Sequence, residues 1–195
     1  GAKFTDSATS GTTHTITATG AIHSQNHLGI APALAWPASG KLNGSAGVYF
    51  DGTADYLSIP DHADLQWGSD SFSIDFWMYL SSLPSGSSGN NGYMIMFNGN
   101  DAGSTVNWEL QLDASVGLMM SGSGGFSGAN EGNMNDWQAH RWYHIALSRN
   151  GTSTFKVYRD GVRIIAQTSG LSASSGSSYG IKIGGYTTTV NNNYN

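Results

Sequence analysis

The sequence contains no cysteine and little charge. Only 11% of its 195 residues are charged, and glutamate occurs only at Glu109 and Glu131. Without cysteine, disulfides cannot stabilise the chain, and the cytosol, a virion and a bacterial surface all remain compatible locations. The net charge is −5 and the eight Lys and Arg residues are scattered, so we expect no nucleic-acid-binding surface.

Long apolar runs and amphipathic helical patterns are also missing. No apolar run has the length needed to span a bilayer, so we expect no membrane insertion, and no signal peptide is visible at the start. The 27 Gly, with many Ser, Thr and Asn, favour strands and turns over helices. Hydrophobic residues make up 38% of the chain, enough for one sizeable core. We therefore predict an all-β protein with a single domain over residues 1–195.

Alternating side chains mark the strands. From Phe72 to Leu80, FSIDFWMYL places apolar residues at every second position, as in a strand with one face in a core. Asp160 and Gly161 separate two such runs and predict a tight type I′ hairpin, so Asp160 is interpreted as a turn former rather than a ligand. Further strands are predicted within Lys3–Thr19, Gly47–Pro60, Tyr93–Phe97, Trp108–Leu112, Val116–Met120, Arg141–Ser148, Thr154–Arg159, Val162–Ala166 and Tyr179–Tyr186.

Several motifs together resemble a known family. They are FDGTADYLSIPD, FSIDFWMYL, RWYHIALSRNGTSTFKVYRDGVRI and IKIGGY, in this order over roughly residues 46–186. They are similar to the motifs of laminin G-like modules in the concanavalin A-like superfamily. The resemblance implies a jelly-roll β-sandwich of two antiparallel sheets. Family members usually continue with one more strand that is not seen here, so we expect the chain to be a fragment of a longer protein. The alternatives are that a neighbouring chain or a divergent tail covers the open sheet edge.

The glutamates argue against an enzyme. Concanavalin A-like glycoside hydrolases commonly carry E-x-D-x-x-E on one strand, with two carboxylates acting as nucleophile and acid/base. Here Glu109 and Glu131 lie in different segments, and Gln111 and Asp113 occupy the positions two and four residues after Glu109. The chain also has no G-x-S-x-G nucleophile elbow. We therefore predict a protein without catalytic activity.

A sugar-binding surface is the favoured hypothesis. Glycans are bound by aromatic faces combined with a few polar groups. Trp77 and Trp142 fall in motifs that occur whether or not a family member binds sugar, so packing is the alternative for both. Phe126 and Trp137 lie in or beside loops and would mark a loop-rim site if exposed. The strand residues predicted to face away from the core are Asp75, Trp77, Tyr79, Trp142, His144 and Tyr158.

A calcium ion is the expected cofactor. The resemblance implies calcium in some members, often structural, near the Gly-containing turn or at the sandwich rim. Asp51 and Asp55 bracket this turn and could supply oxygen ligands. The alternative is that both carboxylates only stabilise the turn through hydrogen bonds to the backbone.

The wording of the motifs most resembles versions from phage virions, tail fibres and bacterial surface proteins. This similarity implies an extracellular setting on a virion or bacterial cell surface, with a cell-surface polysaccharide or glycan as the partner. Other virion or surface-protein chains are further expected partners. A structural virion component that binds no sugar, as a capsid decoration or tail-fibre protein, is the alternative.

Overall fold

The described part of the chain folds into two antiparallel β-sheets that share one core, plus a separate two-stranded pair. The structure is a computed structural model that describes residues 11–20, 22–24, 47–50, 55–67, 70–85, 92–100, 106–122, 129–151, 154–167 and 179–185. This architecture confirms the predicted all-β sandwich of two antiparallel sheets.

Thirteen strands are assigned within these ranges. In chain order they are β1 Thr17–Thr19, β2 Ile22–Ser24, β3 Gly47–Tyr49, β4 Tyr56–Ile59, β5 Phe72–Leu80, β6 Tyr93–Gly99, β7 Val106–Asp113, β8 Gly117–Gly122, β9 Ala129–Asn130, β10 Arg141–Asn150, β11 Thr154–Arg159, β12 Val162–Gln167 and β13 Ile181–Ile183. A 3₁₀ turn, Ala63–Leu65, follows β4. One sheet has the order β1-β4-β13-β6-β7-β8-β9, the other has the order β12-β11-β10-β5, and β2 pairs with β3.

The four-stranded sheet forms because its strands alternate apolar and polar residues. In β5 the side chains of Met78 and Leu80 are buried, while Asp75 and Trp77 on the other face are exposed. β10 alternates in the same way, with Tyr143, Ile145 and Leu147 inside. The bounds predicted for β5 are confirmed, and this pattern gives the sheet one apolar and one solvent-facing side.

The core lies between the two sheets. The inner face of the four-stranded sheet contributes Leu80, Ile145 and Val157 to this core. They pack in one cluster with Leu112 and Leu118 of the seven-stranded sheet. All five side chains are fully buried. Burial of this kind stabilises by about 1.5–3 kcal/mol for each large apolar side chain, which makes the shared core the main source of sandwich stability.

The turn between β11 and β12 has the predicted geometry. Asp160 has φ of 51° and Gly161 has φ of 81°, the two positive values that a type I′ turn requires. The interpretation of Asp160 as a turn former is confirmed.

Two terminal predictions are partly corrected. Of the strand expected from Tyr179 to Tyr186, the structure describes residues 179–185, and among these only Ile181–Ile183 form a strand. Gly184 ends it, because its φ of 89° turns the backbone and its N–H donates to Ile95 O at 3.0 Å. Within the described part of the Lys3–Thr19 segment, only β1 is a strand, and it lies at a sheet edge as expected.

Arg149 breaks the apolar pattern on the inner face of β10. Its side chain is 3% exposed, its Nε donates to Gly151 O at 2.6 Å, and its guanidinium lies 5.6 Å from the ring centroid of Phe72. Burial lowers the pKa of Arg149, and the charge of Asp70 opposes that shift. Arg149 therefore covers the end of the core beside the β10–β11 turn, with its guanidinium between Phe72 and the Gly151 carbonyl.

Candidate functional site

The outer face of the four-stranded sheet brings together most of the predicted sugar-binding residues. In the β5–β10 register, Tyr79 lies opposite Trp142 and Trp77 lies opposite His144. Residues paired in an antiparallel ladder share a face, so these rings form one continuous surface. We call this surface, with Asp75 and Tyr158, the outer aromatic face.

Trp77 is the most exposed aromatic residue of the outer aromatic face, with 42% of its surface accessible. The ring centroids of Trp77 and His144 are 5.1 Å apart at an interplanar angle of 45°. His144 Nε2 lies 3.5 Å from Asp75 Oδ2, and the Asp75 side chain is 72% exposed. An open indole face therefore stands beside an imidazole and a carboxylate that both reach solvent.

Tyr79 and Trp142 form the second aromatic pair. Their ring centroids are 5.4 Å apart at 56°, and both side chains are half-buried. The Tyr79 hydroxyl lies 3.5 Å from His140 Nδ1, and His140 itself has a positive φ of 60° at the start of β10. This pair continues the apolar surface along the strands from Trp77 and ends it at a polar loop.

A polar row crosses the sheet beside the aromatic pairs. Asp75 lies opposite Ala146, Ala146 opposite Tyr158, and Tyr158 opposite Arg163. Neighbouring strands are about 4.8 Å apart, so the row is about 14 Å long. The row therefore places the Asp75 carboxylate and the Tyr158 phenol on either side of the small Ala146, with the Arg163 guanidinium beyond Tyr158.

Asp160 holds this face in position, which the sequence did not predict. Its Oδ1 accepts the backbone N–H of His144 at 2.9 Å, and its Oδ2 accepts Arg141 Nη2 at 2.9 Å. Its own N–H donates to His144 O at 2.8 Å. The turn residue therefore fixes the backbone at His144, the residue that faces Trp77.

Trp137 is corrected from an exposed loop-rim candidate to a buried residue. Its side chain is 3% exposed, and its ring centroid lies 4.6 Å from that of Tyr143. Its Nε1 donates to Glu131 Oε2 at 2.7 Å, and the Arg159 guanidinium lies 4.8 Å from its ring. The indole is enclosed by these groups and offers no face to a ligand. Phe126, the other loop candidate, lies outside the described residues.

Asp55 is the described member of the predicted calcium pair, since Asp51 lies outside the described residues. Asp55 is 5% exposed, and its carboxylate packs so tightly on Gly20 that a Cβ there would lie 1.7 Å from Oδ1. Calcium takes six to eight oxygen ligands, and a single buried carboxylate supplies only part of such a set. The described residues at this turn therefore do not make up a calcium site, and calcium stays a prediction.

Both glutamates are engaged in separate hydrogen-bond networks. Glu109 Oε1 accepts Gln111 Nε2 at 3.1 Å and Ser121 Oγ at 2.5 Å on the seven-stranded sheet. Glu131 pairs with Arg159, with 2.6 Å between Oε1 and Nη1. Neither carboxylate belongs to the outer aromatic face, whose one acidic side chain among the residues defined above is Asp75.

A cleft of about 540 Å³ lies on the seven-stranded sheet. It is lined by Tyr56 and Lys182, among others, and the Lys182 ammonium lies 5.0 Å from the Tyr56 ring centroid. This cleft was not predictable from the sequence, because its walls come from β4, the end of β6 and β13, which are distant in sequence.

Comparison with protein-family models gives one match, over residues 51–194, to a laminin G model of the concanavalin A-like lectin/glucanases superfamily. The chain belongs to this superfamily. The resemblance seen in the motifs is thereby confirmed, together with the jelly-roll sandwich. A search of curated proteins found no significant match.

Solved structures similar to this chain include a sugar-bound domain and two other binding domains. Domain 4 of AbnA, a GH43 extracellular arabinanase from Geobacillus stearothermophilus in complex with arabinotriose, has a TM-score of 0.55 and 15% identity, over 87% of this chain and 73% of that one. The binding domain of Paraclostridial Mosquitocidal Protein 1 has a TM-score of 0.60 and 11% identity, over 87% and 39%. The binding domain of botulinum neurotoxin DC, in complex with rat synaptotagmin II, has a TM-score of 0.54 and 16% identity, over 90% and 40%.

This chain spans about two fifths of the length of the botulinum neurotoxin DC and Paraclostridial Mosquitocidal Protein 1 binding domains. At 11–16% sequence identity, the similarity of these three structures to this chain shows a shared fold and nothing more. Among the residues that the structure describes, no helix has the length and apolar character needed to cross a bilayer.

Proposed function

We propose that this chain is a non-catalytic glycan-binding module that uses the outer aromatic face. The observation that carries the proposal is Trp77, a large apolar ring 42% exposed on a sheet face and flanked by polar groups. Large aromatic side chains are usually well buried, so an open indole beside a carboxylate and an imidazole suggests a ligand platform. The sugar-bound arabinanase domain of the same fold supports a glycan as the ligand.

Binding on this face combines stacking with hydrogen bonds. The Trp77 ring packs on the apolar C–H side of a sugar, while Asp75 and His144 meet its hydroxyls. Tyr158 and Arg163 extend the polar contacts across the sheet, and the row about 14 Å long accommodates more than one sugar unit. Open sites of this kind bind weakly, and a Kd of about 1 mM corresponds to about −4.1 kcal/mol.

The proposed setting is extracellular. In this proposal the module attaches a phage particle or a microbial surface to a cell-surface polysaccharide, alone or next to other virion or surface-protein chains. The resemblance of the motifs to phage and bacterial surface modules supports this setting, as does the similar fold of domain 4 of an extracellular arabinanase.

The test is a glycan array followed by calorimetry with the best ligand. The array includes arabino-oligosaccharides, sialylated glycans and bacterial polysaccharides, each with and without chelator. We expect Trp77→Ala to weaken binding about 5- to 30-fold, since losing the stacked face costs about 1–2 kcal/mol. Val48→Ala is the control, because Val48 is 36% exposed but lies on β3, which belongs to the two-stranded pair and not to the four-stranded sheet.

Three results would contradict the proposal. An empty array would favour a structural virion component without sugar binding. Loss of binding in Lys182→Met with no change in Trp77→Ala would move the site to the cleft on the seven-stranded sheet. Release of reducing sugars from a polysaccharide panel would show an enzyme.

A further inference from the structure

A second cluster of ligating side chains lies at the edge of the seven-stranded sheet. It contains His14, His62 and Asp64, which offer one ligand atom each, all within 4.8 Å of one another. His14 lies 48 residues before His62 in the sequence, whereas His62 and Asp64 are only two positions apart. Their spacing in the chain therefore gives no metal motif, and the cluster arises only through folding.

Strand pairing explains how these residues meet. β1 and β4 are antiparallel with Thr17 opposite Ser58, so the chain before β1 runs alongside the chain after β4. His14 precedes β1 by three positions, while His62 caps the start of the 3₁₀ turn after β4 and Asp64 lies within that turn. The same register thus brings the histidine of the first segment onto the turn.

The distances between the ligand atoms suit a small cation once the three side chains move slightly closer together. Asp64 Oδ2 lies 3.4 Å from His62 Nδ1 and 3.9 Å from His14 Nε2. A tetrahedral zinc ion with bonds of about 2.0–2.1 Å places its ligand atoms about 3.3 Å apart. Closing the cluster requires side-chain movement of the two histidines, whose rings now meet edge to face at 4.9 Å.

The donor set selects the class of ion. Two imidazole nitrogens and one carboxylate oxygen suit zinc and neighbouring first-row divalent metals, whereas calcium prefers six to eight oxygens. The side chains are 17%, 38% and 46% exposed for His14, His62 and Asp64, so water can complete the coordination. Without the ion, His62 Nδ1 accepts a hydrogen bond from the Asp64 backbone N–H at 3.2 Å. The bound ion would use the same nitrogen lone pair, and water would then accept from the Asp64 N–H.

We propose that His14, His62 and Asp64 form a binding site for a first-row divalent cation, with zinc as the probe. The bound ion ties the segment before β1 to the turn after β4. This proposal does not depend on the glycan-binding proposal, because the three residues lie beside β1 and β4 of the seven-stranded sheet, whereas the outer aromatic face belongs to the four-stranded sheet.

Thermal unfolding with added zinc tests this site. A ligand that binds only the folded chain raises Tm. When its free concentration is one hundred times its Kd, the rise for a domain of this size is about 5–10 °C. We expect this rise for the wild type with zinc, its reversal by chelator, and no comparable rise with calcium. Calorimetry with zinc is expected to give one site per chain.

The variants assign the ion to the cluster. His62→Asn and Asp64→Asn each replace a partly exposed side chain with one of similar size, and each is expected to lower zinc affinity at least tenfold while the circular dichroism spectrum stays unchanged. His140→Asn is the matched control, because asparagine tolerates the positive φ of that position. It is expected to bind zinc like the wild type.

Cobalt provides a readout of the ligands themselves. Absorption bands of a bound Co²⁺ in the wild type, lost in Asp64→Asn and kept in His140→Asn, would support the site. An unchanged Tm at millimolar zinc would overturn the proposal, as would equal zinc binding by the wild type, His62→Asn and Asp64→Asn. In that case the cluster is a pair of ordinary His–Asp contacts.

Discussion

The ion pair between Glu131 and Arg159 allows the sharpest stability prediction. Only 9% of the Glu131 side chain and 11% of the Arg159 side chain are exposed, and their charged atoms are 2.6 Å apart. Glu131 Oε2 also accepts Trp137 Nε1 at 2.7 Å and the Leu118 N–H at 3.4 Å. The carboxylate thus joins β8, β11 and the loop before β10 in one buried network.

Glu131→Gln is the perturbation, since glutamine has almost the same size but no charge. Breaking a buried pair costs about 3–5 kcal/mol because the partner charge stays buried. Here Arg159 keeps a second carboxylate, Asp136, at 3.3 Å, although that side chain is 76% exposed. We therefore expect the lower end, a loss of about 3 kcal/mol in the free energy of unfolding and a fall of about 6–12 °C in Tm.

A double-mutant cycle with Arg159→Met isolates the pair. Urea unfolding of the wild type, both single variants and the double variant is expected to give a coupling energy of about 2–3 kcal/mol. Arg141 and Asp160 form the control pair, with 2.9 Å between their charged atoms but 49% and 33% exposure. The cycle of Arg141→Met and Asp160→Asn is expected to give only about 0.2–1 kcal/mol. Equal coupling in the two cycles would refute the argument from burial.

Three further predictions concern stability, each measured by urea unfolding. Asn98→Ala should cost about 2–3 kcal/mol, because the buried amide donates at 2.7 and 3.1 Å to the two backbone carbonyls before β13; a cost under 0.5 kcal/mol would contradict this. Gly184→Ala should cost about 2–4 kcal/mol, because the added Cβ would lie 2.4 Å from the Phe50 ring. Gly161→Ala is the control: it has a similar positive φ but open space around the added Cβ, and it should cost only about 1 kcal/mol. Asp160→Ala should cost about 1–3 kcal/mol and Asp160→Asn clearly less, because asparagine tolerates positive φ and keeps an acceptor; identical losses would count against the turn argument.

The sheets were predictable from the sequence because their signal is local. The alternation in FSIDFWMYL predicted both the bounds of β5 and the face of each side chain. The Asp160–Gly161 dipeptide predicted its turn for the same reason, since the backbone angles that it needs exclude most other residues. The strand residues of the outer aromatic face followed from the same alternation.

Contacts between distant segments were not predictable. Trp137 appeared free to line a rim because it stands beside a long glycine-rich segment, yet Glu131 and Tyr143 enclose it. The meeting of His14 with the turn after β4 depends on which strands are neighbours, and alternation within a strand does not contain that information. The predicted roles of Asp51 and Phe126 stay predictions.

The place of β13 in the sheet has a consequence for synthesis. Ile183 pairs with both Leu57 and Met96, so the middle of the seven-stranded sheet cannot form until β13, about 80 residues after β6 in the chain, has been synthesised. At about 5–20 residues per second, β6 emerges about 4–17 s before β13. During that interval the facing edges of β4 and β6 have no partner and are open to wrong pairing with other nascent chains. We expect newly made chains to need shielding over this period more than finished ones do.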